Sequence, residues 1–139
     1  MRVMALDVGD RRIGVAISDA LLLTAQARPT VRRKNEETDI EAIARLVVEN
    51  EVHEIVVGKP LHMDGSDSAQ SQKTRRFAER LQEVLALPVV LWDERLTTFE
   101  AEQHLEQLGL NWRQRRDQVD KIAAMIILQN YLDSRSGLS

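Results

Sequence analysis

Three carboxylates stand where apolar segments end or turn. Asp7 follows Val3-Met4-Ala5-Leu6 and precedes Val8-Gly9, Glu94 follows Val89-Val90-Leu91-Trp92-Asp93, and Asp120 lies among Val119, Ile122, Ala123 and Ile126. Brought together they would repel, since two unit charges about 4 Å apart cost roughly 4 kcal/mol at an effective dielectric near 20. A hard divalent cation reverses that sign. Mg²⁺ and Mn²⁺ take oxygen ligands and keep waters, and a pair of such ions about 4 Å apart can activate an attacking water and stabilise the leaving oxygen of a phosphodiester. The absence of cysteine excludes disulfides, thiolate zinc sites and thiol nucleophiles. The histidines, His53, His62 and His104, are scattered singly and read as surface or loop residues. Metal chemistry in this chain therefore points to carboxylates with Mg²⁺ or Mn²⁺.

Each acid also has a plainer reading. Asp7 suits the start of a hairpin turn, and Glu94 suits a surface pair with Arg95. Asp120, like Asp117, suits a helix N-terminus, where the macrodipole favours negative charge. What distinguishes Asp120 is its setting, because its apolar neighbours must face a core and the small pair Ala123-Ala124 permits close approach to a sheet.

The elements that must position these residues follow from period and punctuation. Val3 to Val8 and Ile13 to Ser18 read as strands joined by the hairpin Gly9-Asp10-Arg11-Arg12, with a third strand over Arg28 to Arg33. Thr38 to Glu41 matches a capping box for a helix that buries Ile40, Ile43, Ala44 and Val47 and ends near Asn50. Glu54 to Gly58 is a strand buried on both faces, followed by a loop from Lys59 to Ser66 in which Asp64-Gly65 turns. A helix from about Ser68, with Phe77, Ala78, Leu81, Val84 and Leu85 inward, stops at Pro88. Val89 to Trp92 is the last strand. Thr97 with Glu100 caps a helix ended by Gly109, and after an Arg-rich connection a final helix presents Val119, Ile122, Ala123 and Ile126 and runs to about Asp133.

Strands joined by short turns run antiparallel, whereas strands reached through helices run parallel. The expectation is an α/β fold spanning 1–139 as one domain, with a mixed five-stranded sheet, three antiparallel strands then two parallel, and helices on both faces. Strand ends near the point where connections diverge are the usual place for ligands. Asp7 and Glu94 both stand there.

A chain of 139 residues, 43% hydrophobic and 29% charged, has the balance of an ordinary globular domain, and no apolar run reaches the length of a bilayer span. A cytoplasmic protein with no membrane partner is expected. A net charge of −3 argues against a histone-like nucleic-acid binder without excluding a nuclease. Arginine outnumbers lysine, and its planar fork matches phosphate oxygens, although thermophilic or codon bias gives the same composition. Neither a G-x-S-x-G elbow nor a G-x-x-x-x-G-K-[ST] loop is present, which argues against an α/β-hydrolase or a P-loop NTPase.

Four segments together are similar to one family. Leu6 to Asp19 (L-D-V-G-D-R-R-I-G-V-A-I-S-D), Val57 to Gly65, Asp93-Glu94-Arg95-Leu96-Thr97-Thr98 and Val119 to Leu128 resemble, in order, the motifs of the YqgF or RuvX family. The resemblance implies a ribonuclease-H-like fold related to the RuvC Holliday-junction resolvases, and a nuclease that matures the 5′ end of pre-16S ribosomal RNA. It also implies that Asp7, Glu94 and Asp120 form an acidic, metal-binding catalytic triad.

Candidate phosphate contacts are Arg11, Arg12 and Arg95, adjacent to the acids in sequence, and Lys59 in the loop beside them. Arg113, Arg115 and Arg116, with Trp112 available to stack on an unpaired base, form a second candidate patch, which is equally a solvated basic turn. RNA is the favoured substrate, and branched DNA cut by a junction resolvase is the rival. A non-catalytic nucleic-acid-binding or transcription-associated factor is a third reading. The chain acts as a monomer or a homodimer.

Overall fold

The computed structural model describes residues 1–60, 62, 64–93 and 112–136, with the side chains of 112–118, 120 and 136 excepted. Five strands form one sheet in the order β3-β2-β1-β4-β5: β1 (Arg2–Val8), β2 (Arg12–Ser18), β3 (Ala25–Arg32), β4 (Val52–Lys59) and β5 (Val89–Asp93). β1, β2 and β3 pair antiparallel, while β4 lies parallel to both β1 and β5. The β1–β2 hairpin closes with the Gly9 N–H donating to the Arg12 carbonyl at 2.9 Å. A Cβ on Gly9 would meet that same carbonyl at 2.9 Å, so the tight turn requires glycine.

The sheet has two differently furnished faces. On one, Met4, Leu6, Val8, Ile13, Val15, Ile17, Ile55 and Val57 pack against α1 (Glu36–Glu49) and α2 (Ala69–Leu85) through Ile40, Ile43, Phe77 and Leu81. On the other, the smaller Val3, Ala5, Ala16 and Val56 receive the last helix, α3 (Trp112–Ser136), through Ala124, Ile127, Leu128 and Tyr131. Strand alternation makes this division, and central strands buried on both sides explain the unbroken apolar run Val3-Met4-Ala5-Leu6.

Several sequence expectations shift: β3 begins earlier, at Ala25, and Val84, expected inward on α2, is 50% exposed. α1 begins at Glu36, where Asn35 caps it by accepting the Thr38 N–H at 2.8 Å, so Thr38 lies inside the helix. Asp39 is instead buried, accepting from Arg33 Nε at 3.3 Å and the Lys34 N–H at 3.0 Å. The Arg-rich stretch expected to be a connection forms the first turns of α3. The inward stripe of α3 is Ala124, Ile127, Leu128, Tyr131 and Leu132 together with Ala123, whereas Val119, Ile122 and Ile126 are only partly buried. Residues 122–128 are almost uniformly apolar, so period alone does not select a face; the small side chains of Ala5 and Ala16 do, by admitting Ala124. The Ser68 start of α2 stands, as a capping box with Ser71. The expected Thr97–Gly109 helix lies outside the described residues.

Candidate active site

Asp7 is the penultimate residue of β1, and alternation with Val3 and Ala5 puts it on the α3 face. It pairs with Gly14 of β2. On its other side the β1–β4 register, in which Leu6 pairs with Val57, brings Gly58 level with it, and Gly58 pairs in turn with Trp92 of β5. A single row thus reads Gly14, Asp7, Gly58, Trp92 across four strands. The row beneath it reads Ala16, Ala5, Val56, Val90. Neither neighbouring position in the row carries a side chain, Asp7 is half-buried, and Trp92 stands at the row's end. The two glycines are buried and were not singled out from sequence; a glycine inside an otherwise apolar strand, as in Ile13-Gly14-Val15 and Val57-Gly58, is the signal that marks them.

The helix over this row is held at its far end. Gln129 accepts from the Ala25 N–H at 3.1 Å and donates to the Leu23 carbonyl at 3.1 Å. The Tyr131 hydroxyl donates to Glu54 Oε1, Arg135 reaches Glu54 Oε2 at 2.8 Å, and the Tyr131 ring meets Trp92 edge-on with centroids 5.4 Å apart. Burial, with the nearby Glu54 carboxylate, pushes the Tyr131 pKa up to about 12. These anchors fix the C-terminal half of α3 at the start of β1 and β4, so its N-terminal half runs toward the end of β1.

The basic candidates are distributed around this edge. Arg12 shares the strand parity of Gly14 and therefore the Asp7 face, and Arg11 is exposed at the hairpin tip. Lys59 has the opposite parity. Its ammonium pairs with Asp67 at 3.1 Å, just before α2, and holds that carboxyl below the usual carboxylate range. Asp67 is shared with Arg75, also at 3.1 Å, so Lys59 is tied to the loop on the other side of the sheet. The expected Asp64-Gly65 turn is present, with Gly65 at a φ of 89° and Asp64 accepting from Ser66. Glu94 and Arg95 lie outside the described residues, as do the side chains of Trp112, Arg113, Arg115, Arg116 and Asp120, whose backbones belong to α3. Among the described residues no three acids or histidines gather to hold a metal ion, and no helix is long and apolar enough to cross a membrane.

The model of a family described as RuvX, Holliday junction resolvase, matches residues 1–134. A protein of Syntrophus aciditrophicus named "Putative pre-16S rRNA nuclease" is 51% identical over 136 residues, covering 98% of this chain and 91% of its own. One of the same name from Halothermothrix orenii is 50% identical over 138 residues, covering 99% of each. Among solved structures, Thermus thermophilus RuvC in complex with a Holliday junction substrate superposes with a TM-score of 0.57 at 14% identity, over 99% of this chain and 97% of that one. The fowlpox virus resolvase with Holliday junction DNA gives 0.58 at 13% identity, over 97% and 99%. At such identities the likeness defines the fold, which is ribonuclease-H-like.

Proposed function

The chain belongs to the RuvX family, and from that premise we propose that it is a divalent-metal-dependent nuclease that matures the 5′ end of pre-16S ribosomal RNA in the cytoplasm, with Asp7, Glu94 and Asp120 as its catalytic carboxylates. The observation that carries this reading is the Gly14-Asp7-Gly58-Trp92 row beneath α3. In the backbone of α3, Asp120 comes one helical turn before Ala124, which packs against the sheet. From Gln129, anchored beside the start of β1, nine residues of helix rise about 13 Å, and the four residues from Val3 to Asp7 also span about 13 Å. Glu94 directly follows Asp93, the last residue of β5, in sequence.

An all-carboxylate donor set beside side-chain-free positions fits a hard cation, which Asp7, Glu94 and Asp120 would hold and which supplies a nucleophilic water and charge neutralisation at the phosphodiester. Arg12 on the same face suits a flanking phosphate. Arg11, Arg95 and the Trp112, Arg113, Arg115 and Arg116 patch would extend the grip on the strand.

RNA is favoured because a modest basic surface at net charge −3 suits one strand, whereas a junction presents several duplex arms to be neutralised. The family description and the two resolvase folds favour the second reading, cleavage of branched DNA. Specific activity on a precursor-rRNA-like RNA against an immobile four-way DNA junction, at equal salt and Mn²⁺, decides. RNA cleavage is expected; symmetric paired nicks in the junction with intact RNA would reverse the assignment.

A further inference from the structure

Arg12 and Arg32 stand directly opposite each other in the β2–β3 ladder, so both belong to the face that carries Asp7. Asp7 pairs with Gly14, two residues from Arg12 along β2. Two strand spacings across the sheet and two residues along it put the Arg32 Cα about 12 Å from that of Asp7, near enough for a long side chain to meet a phosphate flanking the one at Asp7. The next rung ties the hairpin tip to the end of β3, with the Arg33 N–H donating to the Arg11 carbonyl at 2.9 Å, and gathers Arg11, Arg12, Arg32, Arg33 and Lys34 at one corner of the sheet.

The acids near this corner are engaged elsewhere. Asp39 takes Arg33 at 3.3 Å and fixes the Lys34 N–H at 3.0 Å. Asp10 and Glu36 line a groove on the α1/α2 side together with Lys73 and Arg76, and Glu37 lines the next one beside Arg80. Arg11, Arg32 and Lys34 are all exposed, and among the described residues none of the three makes an ion pair. They form an uncompensated basic corner on a chain of net charge −3. Charge on an outer strand commonly serves to keep its edge from pairing with another chain. Here Pro29, in the bulge between Arg28 and Val31, already interrupts the free edge of β3, whereas Arg32 is the last residue of the strand and has an arginine for its cross-strand neighbour. Like charges directly opposite each other cost stability, and a polyanion laid across them returns it.

We propose that Arg32 and Lys34, with Arg11, bind the nucleic-acid backbone that flanks the cleaved bond and lead it from Asp7 over β2 and off the β3 edge of the sheet. The contacts are to phosphodiester oxygens, for which the guanidinium fork is suited, and they carry no base information. The choice of ligand rests on the nuclease reading above.

The test is binding of a labelled 20-nucleotide single-stranded RNA, and separately of a four-way DNA junction, in chelator across a salt series. The Arg32→Ala/Lys34→Ala double variant is expected to weaken binding about tenfold and to flatten the log–log salt slope by about one to two, as the loss of about two phosphate contacts requires, with the Tm held or raised. A loss confined to one substrate identifies which backbone takes this track. Arg32→Glu, which keeps a charge on the edge strand, should bind more weakly than Arg32→Ala. Arg45→Ala, which removes an exposed cation from the outer face of α1, should bind as the natural protein does. Unchanged affinity and slope in the double variant overturn the proposal. So does natural binding by Arg32→Glu, because the arginine then serves only to guard the edge, and so does an equal loss in Arg45→Ala, because the charge then acts diffusely. Failure of the nuclease reading would appear elsewhere, as undiminished cleavage by Asp7→Asn.

Discussion

Leu6 and Asp7 are consecutive in β1, yet they belong to two different faces of the sheet. Leu6 is fully buried beneath α1 and α2 among branched aliphatics. Asp7 shares the α3 face, where its row neighbours are Gly14 and Gly58 and the next row is Ala16, Ala5 and Val56. The first face is filled with volume and supplies stability, about 1.5–3 kcal/mol for each fully buried large aliphatic side chain. The second gives up volume where the carboxylate emerges. The comparison teaches that one strand can serve core and chemistry at once, because its period of two keeps them apart.

The largest effect should come from the chemical face. Asp7→Asn, Glu94→Gln and Asp120→Asn are each expected to lower single-turnover cleavage by about 10³-fold or more, some 4 kcal/mol of transition-state stabilisation. Their Tm values should hold or rise, as carboxylate repulsion is relieved. Near-natural turnover in two of the three would break the assignment.

Leu6→Ala should do the reverse. Removing that side chain is expected to cost about 2–5 kcal/mol in denaturant unfolding, with cleavage per folded molecule retained. A large activity loss without destabilisation would mean the two faces are not separable.

A smaller effect sharpens the role of the empty positions. Gly58→Ala adds one methyl beside Asp7 and is expected to lower cleavage per folded molecule about tenfold, or about 1.4 kcal/mol. Full activity in this variant would show that the row's width is incidental.

The smallest concerns the helix anchor. Tyr131→Phe removes the hydroxyl that bonds Glu54 and should cost about 1 kcal/mol. Because burial and Glu54 raise the Tyr131 pKa from its ordinary 10.0 to about 12, the fold favours the protonated phenol. Its contribution is complete below pH 10 and is lost as pH rises through 12, so the alkaline decline in stability across that window should be shallower in Tyr131→Phe. An identical pH profile would remove the anchor from the account.

Much of this was legible in the residues themselves. The hairpin, the mixed strand order and the strand-end position of Asp7 follow from local turns and alternation, which act over a few residues. The face of α3 was not, because residues 122–128 are apolar all round and the choice belongs to Ala5 and Ala16, far away in sequence. Nor was the pairing of Lys59 with Asp67: strand parity turns that lysine to the side opposite Asp7, and a residue's nearness in sequence to a motif does not report it. Gly14 and Gly58 were visible as strand glycines, but only the register shows that they flank the same carboxylate.

The most direct test of the central claim, that this face holds a cation on carboxylates, is the melting curve with and without Mn²⁺, run beside cleavage in chelator. Saturating Mn²⁺ at about 100 times its Kd should stabilise the natural protein by about 2.7 kcal/mol and leave Asp7→Asn almost unshifted, with no cleavage once the metal is chelated. An unchanged melting curve together with undiminished cleavage in chelator would contradict it.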